Sequence, residues 1–555
     1  MCGIFAVCHC AKYGSRPSKF SAQNAIELSF RQKHRGPDDR AFYENPNTGD
    51  ILCHERLSIV DFSCKHPMKG TQEDHQVVHN GEIYNHEELR KTVLKEYKMK
   101  TQCDSEVIIF LYEKEGSGMI CSQLDGIFAF ALIFGEEFLV ARDPIGVKPL
   151  YYGEDKEGRH FFSSEMKTIE PVCGEHKLST FPPGHFWTPS TGFICYYMPI
   201  WYDYRQAQMD MNLVTVRQSL IEATKKRLMS DAPIGVLLSG GLDSSLISSI
   251  AMREMRHRGL PLKSFSIGLS EDAPDLIAAR HVAAFLGTIH HQFLFTVQEG
   301  IDILSELIWH LETYDVTSVR ASTPMYFMSK KIADLGVKVV LSGEGADEIF
   351  GGYLYFHNAP NDEEFQKETI RRIQLLSTAD CLRADKSCMA NSVEVRVPFL
   401  DKTFLDNAVC IHASHKRPKL KNGRNVEKWI LRSAFDTPDD PYLPSDILWR
   451  QKEQFSDGVG YNWIDHLIQH CIKSVTDEEM ASAAEMYPVN TPHSKEAFFI
   501  RKIFHQHFPS SNAAKTVLKW VPKWQVNEDP SGRASKVHKM SLYKDSEDSF
   551  YNSGE

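Results

Sequence analysis

Leu237-Leu238-Ser239-Gly240-Gly241-Leu242-Asp243-Ser244-Ser245 decides how the larger part of this 555-residue chain folds. The apolar run 235–238 reads as a buried strand, and the stretch from Ser245 to about 256 as a helix. Between them two glycines allow a tight turn whose successive N–H groups can face one anion. The helix that follows presents its positive end to the same point, and Ser239, Ser244 and Ser245 add hydroxyl donors. A phosphate or pyrophosphate suits such a turn. It is not a Walker A loop, because the chain contains no Gly-Lys pair.

Working outward, apolar runs at 264–269, 289–295 and 337–341 alternate with helical patterns. The pattern over 275–286 places Leu276, Ala279, Val282, Ala283 and Leu286 on one stripe. Short buried strands alternating with helices predict a doubly wound parallel α/β sheet. A second cluster, Ser342-Gly343-Glu344-Gly345-Ala346-Asp347-Glu348, follows the run 337–341. Ligands of open parallel sheets bind at the carboxyl ends of strands, where both clusters fall. Three carboxylates in five residues repel one another unless a cation sits among them, and magnesium on a nucleotide is the natural candidate.

The N-terminal part has another texture. Short strands at 4–8, 76–79, 127–133 and 138–141, helical patterns near 22–32, 86–97 and 105–114, and polar turns between them predict an α+β domain of packed sheets. The second residue is Cys2. Removal of Met1 would leave a thiol nucleophile and an α-amine of pKa about 7.7–8.0 on one residue, a self-sufficient nucleophile–base pair. Asn80-Gly81-Glu82 is expected just after a strand, where an amide side chain and a glycine N–H make an oxyanion hole. Arg56 can hold a carboxylate bidentately. Asp104 can hold an ammonium or cap a helix. Together these residues suit a free α-amino acid with a side-chain amide.

Composition bounds the partners. The net charge of −10 opposes a general nucleic-acid or membrane-surface binder, since no basic excess meets phosphate. No apolar run reaches the roughly 18 residues of a membrane span, and the short apolar start lacks the basic residues of a secretory signal. Thirteen cysteines include no C-x-x-C pair, which fails the zinc-ribbon and thioredoxin spacings; free thiols in a reducing compartment are expected. The texture changes near 199–212, taken as a linker. From about 526 the chain is polar and is expected to be a flexible tail.

Cys2-Gly3-Ile4, His34-Arg35-Gly36-Pro37-Asp38, Asn80-Gly81-Glu82-Ile83-Tyr84-Asn85 and Arg142-Asp143-Pro144-Ile145-Gly146 resemble a class II glutamine amidotransferase domain with an N-terminal nucleophile. The Ser-Gly-Gly-Leu-Asp-Ser loop resembles ATP pyrophosphatases. Added to Val319-Arg320-Ala321-Ser322, Ser342-Gly343-Glu344-Gly345 and Glu394-Val395-Arg396-Val397-Pro398-Phe399-Leu400-Asp401, the whole is similar to glutamine-hydrolysing asparagine synthetases over roughly residues 2–535. The resemblance implies an Ntn-hydrolase-type layered sandwich over 2–205 and a synthetase domain over 213–525, with 526–555 as tail.

It also implies roles. Cys2 would attack glutamine, with Asn80 and Gly81 as oxyanion donors, Arg56 on the α-carboxylate and Glu82 with Asp104 on the α-amine. ATP would lie along Leu238, Ser239, Gly240, Gly241, Asp243, Ser244, Ile267, Ser342 and Gly343. Asp243 and Asp347 would hold Mg2+, Glu344 and Lys452 would serve adenylation, and Thr317 and Arg320 would seat aspartate and phosphate. A cytoplasmic enzyme is implied, and a homodimer is common in the family. Three other readings compete. A β-lactam synthetase-like enzyme is opposed by the intact Cys2, Arg56 and Asn80. A glutaminase feeding a sugar-phosphate or phosphoribosyl transferase is opposed by the 239–244 loop. An inactive scaffold is opposed by the completeness of every element.

Overall fold

The computed structural model describes residues 2–9, 17–421, 423–451 and 462–524. Lys452 and the expected tail from 526 lie outside the described residues.

The first 200 residues form two antiparallel six-stranded sheets. Their strands are β1 (Cys2–Cys8), β2 (Asp39–Glu44), β3 (Ile51–Arg56), β4 (Met68–Lys69), β5 (His75–Ile83), β6 (Gly126–Phe134), β7 (Glu137–Arg142), β8 (Tyr151–Glu154), β9 (His160–Ser163), β10 (Lys177–Thr180), β11 (His185–Thr188) and β12 (Gly192–Cys195). One sheet runs β10-β8-β9-β1-β3-β2, the other β12-β11-β7-β6-β5-β4.

Period-two alternation builds the layers. Ile4, Ala6 and Cys8 of β1 face inward and meet Val78 and Ala129 of the second sheet. Phe5 and Val7 face outward onto Ala25 and Ile169, on the helices Ala22–Phe30 and Met166–Cys173. Helix Glu106–Glu115 covers the other sheet through Val107 and Phe110. Buried on both faces, the central strands read as unbroken apolar runs. The result is the expected sandwich in four layers.

Two expectations are corrected. Asn80-Gly81-Glu82 does not follow a strand but lies inside β5, paired with β6 as far as Ile83 opposite Gly126. The reason is Gly81, whose φ is +141° and whose missing Cβ would sit 1.9 Å from the Ile127 carbonyl oxygen. Only glycine lets the two strands stay paired there. The helix expected over 86–97 is only His86–Lys91. Thr92 leaves the helical region with ψ −87°, and the Leu94 N–H turns back to the Leu89 carbonyl.

The expected linker is tied down. Trp201 is fully buried, and its Nε1 donates to Asp406 at 2.9 Å. Beyond it lies a five-stranded all-parallel sheet of β13 (Ile234–Leu237), β14 (Lys263–Gly268), β15 (Ile289–Leu294), β16 (Val339–Leu341) and β17 (Glu394–Arg396), ordered β15-β14-β13-β16-β17. Strand order reverses between β13 and β16. The loops leaving those two strands therefore diverge to opposite faces and open a crevice, the position ligands take in doubly wound sheets. No helix among the described residues is long and apolar enough to cross a membrane.

The two parts meet through buried charge. Glu312, fully buried, accepts from the Met166 and Lys167 N–H groups at 2.7 Å each. It also pairs with Lys167 Nζ at 3.1 Å and with Lys386. Replacing Glu312 by Gln keeps the shape but takes the counter-charge from Lys386 and leaves Lys167 with Glu165 alone. The Glu312→Gln protein should lose on the order of 3 kcal/mol of stability, read as a thermal midpoint several degrees lower; an unchanged midpoint would show that the network contributes nothing.

Candidate active site

Residues from both parts build two centres. In the first, Cys2 opens β1 opposite Arg56 of β3. Its backbone nitrogen donates to Asn80 Oδ1 at 3.0 Å, and its carbonyl accepts from Arg35 Nε at 3.1 Å. The Asn80 amide, fixed through its oxygen, directs Nδ2 to Ser164 Oγ at 3.3 Å, leaving its second N–H for a ligand. The thiol sits 3.9 Å from the Leu57 carbonyl. Burial raises the thiol pKa, but the charges of His54 and of the chain's N-terminal amine, with smaller hydrogen-bond contributions, outweigh it and bring the value down to about 7. A thiol near neutrality is a competent nucleophile.

Arg56 is held by the following loop, donating to the Asp61 carbonyl at 2.7 Å, the Phe62 carbonyl at 3.3 Å and Cys64 Sγ at 3.0 Å. Asp104 does not cap the helix; its Oδ2 accepts from the Ile83 N–H at 2.7 Å, pinning the end of β5. Glu82, expected at an α-amine, turns instead to Arg396 of β17 at 3.1 Å. Arg396 also holds Glu394 at 2.5 Å. Burial alone would lower the Arg396 pKa, but Glu82 and Glu394 drive it up. Glu82 thus joins the first centre to the parallel sheet.

The second centre is the crevice between β13 and β16. Its empty volume, counted to the mouth, is about 1060 Å³. Leu238, Ser239, Asp243 and Ser244 line one wall, with Ile267 and Thr317 beside them. Ser342, Gly343, Glu344 and Asp347 line the other. The helix starts at Leu242 rather than Ser245, so Asp243 and Ser244 lie in its first turn. Ser239 and Ser244 hydroxyls meet at 3.0 Å, and the Gly241 N–H reaches Ser239 Oγ at 3.3 Å. Gly240 shapes the turn instead of lining the crevice: its φ is +74°, and a Cβ would lie 2.5 Å from Ala278. Gly343 allows the two loops to touch, since a Cβ there would be 2.7 Å from the Ser244 nitrogen.

The three crowded carboxylates find three different solutions. Glu344 accepts from Arg383 at 3.0 and 3.1 Å. Asp347 shares Lys428 with Asp243, at 2.6 and 2.5 Å. Glu348 is buried, and with Asp380 and Asp347 as negative neighbours its carboxyl is pushed up to about 8; Tyr353 donates to it at 2.6 Å. Arg383 and Lys428 were invisible as site residues in the sequence, because their own stretches carry no loop signal. Arg320 lies elsewhere than expected: its guanidinium is buried against Glu496 at 2.6 and 2.8 Å, and Arg383 supplies the cation in the crevice. Among the described residues no group of three or more His, Cys, Asp or Glu has a metal-holding arrangement. A second, smaller cavity beside the crevice is lined by Lys428, Arg432 and Arg450 together with Ser239 and Asp243. Its charge suits the far end of a polyphosphate.

An activated thiol with oxyanion donors and an anion-binding turn at a switch point thus stand in one chain. The asparagine synthase family model matches residues 215–364 and 358–535, and the glutamine amidotransferase domain model residues 1–180. A glutamine-hydrolysing asparagine synthetase 1 of Arabidopsis thaliana is 48% identical over 98% of this chain and 95% of its own length. A probable glutamine-hydrolysing asparagine synthetase of Dictyostelium discoideum is 49% identical over 97% and 99%. One from Zea mays is 48% identical over 97% and 94%. The chain belongs to the glutamine-hydrolysing asparagine synthetase family.

Lys428 marks where a cation belongs between Asp243 and Asp347. The Lys428→Met protein should unfold several degrees lower than wild type in metal-free buffer, because the two carboxylates then lose the cation they share. Added Mg2+ should restore part of that loss; a midpoint that responds to neither change would disprove the shared cation position.

Proposed function

We propose that the chain makes L-asparagine from L-aspartate, ATP and the amide nitrogen of L-glutamine, releasing glutamate, AMP and pyrophosphate. The observation that carries this reading is the pairing of Asp243 and Asp347 across the switch-point crevice in the same chain as the near-neutral Cys2 thiol. The glutaminase part spans 2–205 and the synthetase part 213–525.

At the first centre Cys2 Sγ attacks the glutamine carboxamide, with the α-amine freed by loss of Met1 as base. The second Asn80 N–H and the Gly81 N–H steady the oxyanion. Arg56 binds the α-carboxylate of glutamine, and Asp104 with Glu82 sets the α-amine end; Glu82 acts there through its pair with Arg396. Water then frees glutamate from the thioester, and ammonia crosses the domain interface.

At the second centre the polyphosphate lies against the turn 239–244 and the Ser342-Gly343 backbone. The nucleoside lies toward Leu238 and Ile267. The β-carboxylate of aspartate attacks the α-phosphorus and expels pyrophosphate, which turns a poor electrophile into the mixed anhydride that ammonia attacks. Thr317 and Arg383 line the space for aspartate, and Arg383 takes the place first expected for Arg320. Glu344, oriented by Arg383, stands beside the reacting carboxylate. Lys452 is assigned to phosphate charge by resemblance alone. Asp243 and Asp347, which already converge on one cation, would hold Mg2+, and Mg2+ bound there would neutralise phosphate charge.

A cytoplasmic setting and a homodimer belong to the same proposal. The former is supported by the eleven described cysteines other than Cys8, none of which forms a disulfide.

A product assay with aspartate, MgATP and glutamine should yield asparagine, glutamate, AMP and pyrophosphate together; glutamate without asparagine would redirect the search to another carboxylate acceptor. Cys2→Ala should abolish glutamine-dependent synthesis and leave synthesis from added ammonium, and joint loss would refute two separate centres. Asp243→Ala should stop AMP formation while glutamine is still hydrolysed; retained adenylation would remove Asp243 from the metal site.

A further inference from the structure

A further side of the crevice comes from neither strand-end loop. Beyond the helix Ser511–Lys515 the chain runs without regular structure and returns to the crevice, where Trp520 lines it together with Tyr353. Backbone hydrogen bonds fix the segment in place. The Trp520 N–H donates to Asp315 Oδ1 at 2.7 Å, and the Val517 carbonyl accepts from Asn490 Nδ2 at 2.9 Å. Asp315 also caps the helix Val316–Asp334, accepting from the Ser318 N–H at 2.8 Å, and that helix carries Thr317 on the crevice wall. One carboxylate thus ties the indole to the part of the crevice assigned to aspartate.

The ring is held from several sides. The Arg372 guanidinium lies over it, 4.0 Å from the ring centroid, and Tyr353 and Tyr355 meet it edge to face at 5.4 and 6.1 Å. From Arg372 a line of charged contacts leads to the reacting end. Arg372 Nη2 is 4.0 Å from Asp380, Asp380 pairs with Arg383 at 3.0 Å, and Arg383 holds Glu344 at 3.0 Å. Trp520 therefore covers charged groups that stand next to the site of activation. It is the bulkiest side chain lining the crevice, and its indole can donate a hydrogen bond but cannot accept one.

We propose that Trp520, with Tyr353 beside it, is the wall that keeps water from the activated aspartate, so that the mixed anhydride lasts until ammonia attacks. The step it suppresses is a hydrolysis. Water oxygen adds to the β-carbonyl carbon, the bond from that carbon to the phosphate oxygen breaks, AMP leaves with the electron pair, and a proton passes to solvent. Aspartate is returned and the ATP is spent without product. An indole in that place excludes water by volume and offers an approaching water no acceptor for its proton. This inference rests on adenylation at the second centre and adds to it a residue that decides between ammonia and water.

The test counts products. Full-length protein is given aspartate, MgATP and ammonium in 18O-labelled water; AMP and asparagine are measured together, and the recovered aspartate is examined by mass spectrometry. Wild type should form one AMP per asparagine and return unlabelled aspartate. In Trp520→Ala, AMP should exceed asparagine about twofold or more, and 18O should appear in the aspartate β-carboxylate. Trp520→Phe, which keeps an apolar ring, should recover most of the coupling. Trp520→Leu serves in place of the Ala variant if that one does not fold. A purely structural role would lower AMP and asparagine together. A folded Ala or Leu variant that makes no AMP, or that makes one AMP per asparagine at any rate, therefore overturns the proposal. Failure of the wild-type protein to form AMP would instead overturn the adenylation reading beneath it.

Discussion

Arg35 is the interaction on which the rest of the structure leans. Its guanidinium is completely buried and divided among three segments: the Cys2 carbonyl at 3.1 Å, Glu165 at 2.9 Å and Asp385 at 2.7 Å. A planar fork with fixed donor directions fits only one placement of its acceptors. The position of the nucleophile is therefore locked to the helix Asp380–Met389 of the other domain. That same helix carries Asp380 and Arg383, and Arg383 holds Glu344 in the crevice. Burial by itself lowers the Arg35 pKa, and Asp385 and Glu165 reverse this. Charges taken so far from water are stable only when every partner is present. The two centres are thus built on one rigid seam.

Around that seam a recurring device appears: a buried cation shared by two carboxylates. Arg396 joins Glu82 to Glu394, and Lys167 joins Glu165 to Glu312. Lys428 does the same between Asp243 and Asp347. The first two pin domain to domain. The third lies on the wall of the smaller cavity beside the crevice, with Ser239 and Asp243. Similar electrostatics give scaffold in one place and ligand chemistry in another, and the difference is access to solvent and substrate.

Much of the site was legible because its chemistry is local. A strand, a glycine turn and a helix are contiguous, so 235–256 announces an anion site without tertiary information, and the 342–348 cluster does the same. Cys2 is legible because thiol and amine share one residue. Arg320 misled because a conspicuous arginine near a motif says nothing about its partner, and Glu496 lies 176 residues away in the chain. Glu82 misled in the same way, through Arg396. Arg383 and Lys428 went unread because each meets its carboxylates only through folding.

The sequence by itself determined the elements: the parallel sheet and its turn, the layered sheets, and the residues Cys2, Asn80 and Gly81 that the first centre brings together. These rest on periodicity, glycine placement and residue chemistry, which act within a few positions. Only the tertiary structure decided that Asn80-Gly81 sits within a strand, where a missing Cβ admits the Ile127 carbonyl at 1.9 Å. It alone decided which carboxylate meets which cation. Those outcomes depend on long-range register and on the need to satisfy every buried charge, and neither is written in any single stretch of chain.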